Sequence, residues 1–387
     1  MSGPLHLSWR HLRHHPWQTL ALVLSLALVF FLPFGLNTVV SSSSELLRAR
    51  AASTPLIVAA KGSSTDASLS SLYFQKKDLP QIQYEDFKFL KRSTKAPAIP
   101  LLLGHSASDA PIVGTTLNYF SQRSLEFSSG SLFRRLGDCV LGAAAAERLN
   151  LFPGDHIVST PDNVFDLAGT YPLKMRITGV LEPTNTPDDE AVFVDLKTTW
   201  IIRGFAHGHD DLTESDFLPG PERRANAAVR EFTEITDDNI DTFHFHGDRD
   251  TYPLTSVLLF PETTRESTLL LGQFEKPDLT TQIIRPEETL AELAETLFSI
   301  RKIIFPALVI VAAVALLLAA LVYALSLRLR QSEFATYKKI GAAPRTLLYL
   351  KSIDAVFVLT AAALLALLAN FVTAALAPAA LQLLLQL

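Results

Sequence analysis

Apolar positions along this chain fall into three uninterrupted runs, separated by a long interval in which they alternate with polar ones. Pro16 to Val40 has no charged residue in 25 positions, Ile303 to Leu327 has none in 25, and Ser352 to Leu376 carries only Asp354. A helix needs about 20 mostly apolar residues to cross a bilayer, so the pattern predicts transmembrane helices over 16–40, 301–327 and 352–377. A cleaved secretory signal has a shorter apolar region, about 7–15 residues. The first run is longer, contains Pro33 and has no small-x-small cleavage site before Ser41, so it reads as an uncleaved span. Ahead of it, Leu5, Trp9 and Leu12 share one helical face. Residues 1–15 are therefore expected to form an amphipathic elbow on the inner membrane surface. Pro16 opens the span, where its missing N–H costs nothing.

The interval from 41 to 300 reads as a mixed α+β domain. Residues 41–55 continue the first span as a helical stalk. Branched and alternating apolar residues predict strands over 56–60, 98–103, 111–116, 155–160, 174–181, 191–196 and 256–260. Helices are expected over 84–93, 143–150 and 286–300, with turns at Pro153-Gly154-Asp155, Pro183 and Pro187. The polar stretch 203–252 is the least ordered by pattern. The last helix begins at Pro286-Glu287-Glu288 and meets no obvious break before the second span, giving a second stalk.

Charge then orients the chain. The leader carries Arg10 and Arg13, and the short 328–351 segment carries Arg328, Arg330, Lys338, Lys339, Arg345 and Lys351 against Glu333. The segment 41–302 holds 26 of the 34 Lys+Arg and 37 of the 39 Asp+Glu, a net of −11. Basic residues concentrate in cytoplasmic loops, so the N-terminus and 328–351 are expected inside, and the large domain and the C-terminal tail 378–387 outside. The single cysteine, Cys139, excludes an internal disulfide framework.

Residues 331–340 predict a short helix ended by Gly341, a residue favoured just past helix C-termini, with Pro344 opening the next helix. Phe334, Tyr337, Lys338 and Gly341 fall on one face. Helix, glycine turn, helix makes either a compact docking knob or a loop whose basic residues only enforce topology.

At this point the sequence resembles a known family. Glu333, then Lys338-Lys339-Ile340-Gly341-Ala342, then Arg345, placed just after the second span, are similar to the coupling helix of MacB/LolC/FtsX-type ABC permeases. VLGAAAAERLNLFPGDHIV (140–158), ITGVLEPTNTPDDEAVFVDL (177–196), LIVAAKGSS (56–64) and PIVGTTLNYF (111–120) resemble segments of that family's extracytoplasmic domain. The resemblance implies a multi-pass protein of a bacterial inner membrane, in which two permease copies, like or unlike, pair with two cytoplasmic ATPases. ATP and magnesium would bind on the ATPase. Glu333, Phe334, Tyr337, Lys338, Lys339, Gly341 and Arg345 would form the coupling surface. A periplasmic adaptor or lipoprotein and membrane lipid are further implied partners; nucleic acid is not. A signalling role of the FtsX kind, switching an extracytoplasmic partner without moving cargo, is one alternative, and a part in transition-metal (zinc) handling, resting on the histidine pairs named below, is another. The family has a fourth span after the coupling loop. Here only APAALQLLLQL follows the third run, so a fourth helix is expected to be absent, supplied by another chain, or lost.

Chemistry of other kinds leaves few traces. There is no G-x-x-x-x-G-K-[ST] phosphate loop, H-E-x-x-H or G-x-S-x-G, so no enzyme is expected. Two His-x-His pairs, His207/His209 and His244/His246, are each followed by carboxylates (Asp210, Asp211; Asp248, Asp250). Residues i and i+2 of a strand face one side, so each pair can offer two imidazoles to a zinc ion. The alternative is a solvated acidic loop with incidental histidines. His11, His14 and His15 of the leader read as interfacial residues, and Asp354 as a carboxylate at headgroup depth or a functional intramembrane group.

Overall fold

The computed structural model describes residues 3–14, 16–75, 78–160, 172–209, 233–274 and 279–386. Helix α1 (Gly3–His14) precedes α2 (Pro16–Ala52), which carries the first apolar run. There follow β1 (Leu56–Ala60), α3 (Ser64–Tyr73), β2 (Ile82–Gln83), α4 (Tyr84–Ser93), β3 (Ala98–Ala107), β4 (Ala110–Thr115) and α5 (Asn118–Gln122). Next come β5 (Phe127–Gly130), β6 (Asp138–Leu141), α6 (Ala143–Leu149), β7 (His156–Val158), β8 (Lys174–Leu181), β9 (Val192–Asp195) and α7 (Leu196–Ile202). The chain continues through β10 (Ala206–His207), β11 (His244–Phe245), β12 (Pro253–Leu254), β13 (Ser256–Leu259), α8 (Thr264–Phe274) and β14 (Thr281–Ile284). Three helices close it: α9 (Pro286–Leu329), α10 (Gln331–Lys339) and α11 (Pro344–Gln386).

Contacts divide the chain into two compact units, one comprising 1–46 and 294–381, the other built on Leu47–Leu293. The second unit is organised on a mixed sheet in the order β14-β1-β13-β3-β4-β9-β6-β8-β5, with β7 also on β8. Its pairs are antiparallel except β4 with β9 and β6 with β8. The first half of β3 pairs with β13 and the second half with β4. One ten-residue strand thus joins the two halves of the sheet.

Both faces of this sheet are covered, which is why its strands read as continuous apolar runs. Strand alternation sends Ile57, Ile99, Leu101, Val140 and Phe193 to one core. Their neighbours Val58, Leu102, Cys139, Val192 and Val194 go to two cores on the other side. The first core also takes Leu69, Leu72 and Tyr73 of α3, Ala51 from the end of α2 and Leu290 from the start of α9. The two long helices therefore meet the same core where they join the domain. On the opposite side, Ala145 and Ala146 of α6 and Ile201 and Ile202 of α7 fill one cluster. Phe87 and Leu90 of α4, Trp200 of α7 and Leu270 of α8 fill the other.

In the first unit, the stretches Pro16–Ser42, Ile304–Leu325 and Pro344–Ala377 are long and apolar enough to cross a membrane. Leu26 and Ala27 of α2 pack on Val358 and Ala362 of α11. The small residues allow close backbone approach between apolar helices. Thr38 donates a 2.8 Å hydrogen bond to Asn370 Oδ1 across the same pair, and Trp9 of α1 meets Phe357 edge-on at 5.5 Å.

All seven expected strands and all three expected helices occur, with ends shifted by up to a few residues. One expectation is corrected: 378–386 is not a separate tail, because α11 continues through Gln386. After Pro378 the sequence there, 379–386, holds only Ala, Leu and Gln, which are strong helix formers. Helices α3, α7 and α8 and strands β5, β6 and β14 were not expected. Each is short, and α7 begins inside the run read as a strand over 191–196. Of the polar stretch 203–252, residues 210–232, including Asp210 and Asp211, lie outside the described residues.

Candidate functional site

The segment between the second and third apolar helices is a tightly held helix-turn-helix. Glu333 lies in the first turn of α10 and Lys338 and Lys339 in its last, matching the positive and negative ends of the helix dipole. The helix ends in a Schellman arrangement. The Ala342 N–H donates to the Tyr337 carbonyl at 3.0 Å and the Gly341 N–H to the Lys338 carbonyl at 3.2 Å. Gly341 takes φ +94°, a left-handed conformation that costs a residue with a Cβ but not glycine. The chain turns there, and α11 starts three residues later at Pro344.

Arg330, between α9 and α10, fixes this turn in place. Its Nη1 donates to Asp354 Oδ2 on α11 at 2.7 Å, and its Nε donates to Glu333 Oε2 at 3.2 Å. Its guanidinium lies 5.0 Å from the centre of the Phe334 ring. Arg330 and Asp354 are both buried, and a buried charge is tolerated when it is paired and hydrogen-bonded. One side chain thus ties together the end of α9, the first turn of α10 and the body of α11.

This geometry redistributes the residues read as a coupling surface. Phe334 is buried beneath Arg330 and is not presented outward. Tyr337 is half-buried, and Glu333, Lys338, Lys339, Gly341 and Arg345 are exposed. Ile340, which lies in the family-like stretch but was not counted in the coupling surface, is 75% exposed at the tip among the basic residues. Arg330 and Asp354 were not read as partners. Their signal was a carboxylate at the start of an apolar run, which calls for a cation.

A second buried charge pair sits where α2 joins the outer unit. Arg50, in the last turn of α2, donates from Nη1 and Nη2 to the two oxygens of Asp188, each at 2.8 Å. Tyr119 Oη donates to Asp188 Oδ1 at 2.6 Å and accepts from Arg50 Nη2 at 2.9 Å. Arg123 caps the end of the helix from outside, reaching Ser53 Oγ at 2.7 Å and Thr54 Oγ1 at 2.6 Å. Burial by itself would raise the Asp188 carboxyl. The Arg50 charge, hydrogen bonds from Arg50 and Tyr119, and Arg123 together hold it below the ordinary carboxylate value. Burial, then the Asp188 charge, push the Tyr119 phenol up.

The four histidines of the His-x-His pairs come together. Strands β10 and β11 pair antiparallel with His207 opposite His244 and Ala206 opposite Phe245. Ring centres are 4.6 Å apart for His207 and His246, 4.7 Å for His244 and His246, 5.0 Å for His207 and His244, and 5.1 Å for His209 and His244. Of the carboxylates expected beside them, Asp210 and Asp211 lie outside the described residues, and Asp248 and Asp250 are engaged elsewhere. Asp250 pairs with Lys88 at 2.6 Å, and Asp248 accepts from the Asp250 N–H at 3.0 Å as the cap of a 3₁₀ turn.

Residues 19–234, more than half of the 387-residue chain, match the family described as the MacB-like periplasmic core domain. A search of curated proteins found no match. Among solved structures, the periplasmic region of MacB from Actinobacillus actinomycetemcomitans is 12% identical with a TM-score of 0.35, covering 62% of this chain and 92% of that one. The extracellular domain of the noncanonic ABC-type transporter YknZ from Gram-positive bacteria is 11% identical with a TM-score of 0.33, covering 59% and 98%. With a mixed α+β domain matching that family and three apolar helices of membrane-crossing length, the chain belongs to the MacB/FtsX-type ABC transporter permeases.

Proposed function

We propose that this chain is the membrane subunit of an ATP-driven export or extraction machine, paired with a second permease copy and energised by a separate cytoplasmic ATPase. The observation that carries the reading is the pinned connector. Lys338, Lys339, Ile340 and Arg345 form an exposed, basic tip with an apolar centre, on a helix that Arg330 locks to its neighbours. The excess of basic residues in 328–351 supports a cytoplasmic tip and an extracytoplasmic Leu47–Leu293 unit.

In this mechanism the tip seats in a groove of the ATPase and follows its closure. The rigidity supplied by Arg330 passes the displacement to α9 without letting α10 swivel. Helix α9 is continuous from Pro286 to Leu329, with Pro306 inside it. Its first turns, like the last turns of α2, are packed into the outer unit's core. Movement at the connector is thereby delivered to the outer domain, where cargo is handled.

The reading is tested by purifying the tagged, detergent-solubilised chain from its native cells and identifying what accompanies it by mass spectrometry. Recovery of a stoichiometric P-loop ATPase is expected. Reproducible purification with no ATPase overturns the proposal.

A further inference from the structure

The histidine cluster on the β10–β11 ribbon has no part in the coupling mechanism, and its chemistry is distinctive. The register sets His207 directly opposite His244, so the two side chains leave the ribbon on the same face, Cβ atoms about 4.5–5.5 Å apart. His209 lies just past the end of β10 and His246 just past the end of β11, on opposite sides of the His207/His244 pair, with ring centres 5.1 Å from His244 and 4.6 Å from His207 respectively. Ala206 and Phe245 point the other way, Ala206 into the core behind β6 and Phe245 against it. The ribbon is therefore apolar on its inner side and carries imidazoles on its outer side.

Three further observations describe a built site. The ligand nitrogens of His207, His209 and His244 all lie within 4.8 Å of one another. Tetrahedral zinc, with Zn–N near 2.0–2.1 Å, holds its nitrogens about 3.3 Å apart, so rotations about side-chain bonds suffice to close the set. The His244 Nδ1 lies 3.0 Å from the Thr242 carbonyl oxygen. A carbonyl can only accept, so Nδ1 carries the proton and the Nε2 lone pair is left for a metal; this backbone contact is the kind that orients metal-bound imidazoles. The backbone beneath is held as well: Tyr252 Oη donates to the His246 carbonyl at 2.7 Å, and the His246 N–H donates to the Phe205 carbonyl at 3.0 Å. Gly208, between the first two histidines, packs so closely on Phe243 that a Cβ would lie 2.5 Å from its ring.

We propose that His207, His209 and His244 bind one zinc ion on this domain, with the fourth position left to water. Imidazole nitrogens suit zinc among divalent metals. His244 and His246 are exposed, so the site loads directly from the surrounding solution. The ion would staple two strands that share only two residue pairs and whose opposed histidines, His207 and His244, are 37 positions apart in sequence. A two-stranded ribbon is marginal in water without such support.

The test uses the full chain in detergent, purified with a tag free of histidine, stripped with a chelator and titrated with zinc chloride. Co(II) serves as a spectroscopic probe of tetrahedral coordination. One equivalent of zinc per chain is expected, with the visible d–d bands of tetrahedral cobalt. His207→Asn combined with His244→Asn should remove saturable binding, while His11→Asn, His14→Asn and His15→Asn together should leave it unchanged. The metal-free unfolding temperature of the double variant should equal that of the metal-free parent, showing that the loss is not misfolding. Absence of saturable binding in the parent chain, retention of binding in the double variant, or its loss in the leader variant each overturns the proposal.

Discussion

Arg50 grips both carboxylate oxygens of Asp188 at 2.8 Å, joining the last turn of the first long helix to the 3₁₀ turn Pro187–Glu190 beside β9. Both side chains are buried. Removing one member of a buried pair leaves an uncompensated charge, at a cost of about 3–5 kcal/mol, whereas replacing both by apolar groups of similar volume is close to neutral. Asp188→Asn is therefore expected to lower the outer unit's resistance to urea by about that amount, read from the fluorescence of buried Trp200. Arg50→Met with Asp188→Leu should recover most of the loss. Equal losses in the single and double variants would show that the pair does not act as a unit.

The same network gives a pH dependence with two signs. Asp188 has a lowered folded pKa, so its stabilisation is present above the unfolded carboxylate value of about 3.9 and is lost as pH falls through the folded value. Tyr119 has a raised folded pKa, so its contribution is complete below the unfolded phenol value of about 10 and is lost as pH rises towards the folded one. Urea midpoints measured across pH should fall at both ends. In Tyr119→Phe the alkaline decline should diminish and the acid one persist.

Arg330 and Asp354 predict a protease phenotype. Their 2.7 Å ion pair holds α10 against α11 while Lys338 and Lys339 stand exposed. Asp354→Asn leaves the guanidinium facing a neutral amide and should loosen the connector. Limited trypsin digestion in detergent should then cut after Lys338 or Lys339 several-fold faster than in the parent chain. An unchanged rate would mean the pair does not restrain α10.

Gly341 predicts a substitution order. A Cβ there meets no atom within 4 Å, so the cost of Gly341→Ala comes from the φ of +94° and amounts to about 1–2 kcal/mol. Asparagine tolerates the left-handed region better, so Gly341→Asn should retain more coupled ATP turnover than Gly341→Ala, and Gly341→Val the least. An order following side-chain volume alone would point to a steric role.

Much of this was legible in the sequence because it depends on local periodicity. The apolar runs, strands such as LIVAA and KMRITGVL, and the glycine-ended helix before Pro344 all announce themselves in a short window. The four histidines stood out as a candidate set from their spacing, although β10 and β11 end before His209 and His246. What sequence did not convey are relations between distant positions. The Arg50–Asp188 pair spans 138 residues, and the register of β10 with β11 decides whether two histidine pairs meet. Phe334 was read as presented outward because Tyr337, Lys338 and Gly341 share its face, but the aromatic ring packs beneath a guanidinium supplied by the preceding turn.

The most direct test of the coupling account is ATP turnover by the purified permease–ATPase complex in lipid nanodiscs, comparing the parent chain with Lys338→Glu combined with Lys339→Glu. The account predicts that charge reversal at the exposed tip abolishes permease-dependent stimulation of ATP hydrolysis while the outer unit keeps its urea midpoint. Stimulation undiminished by the reversal, with the complex intact, would contradict it.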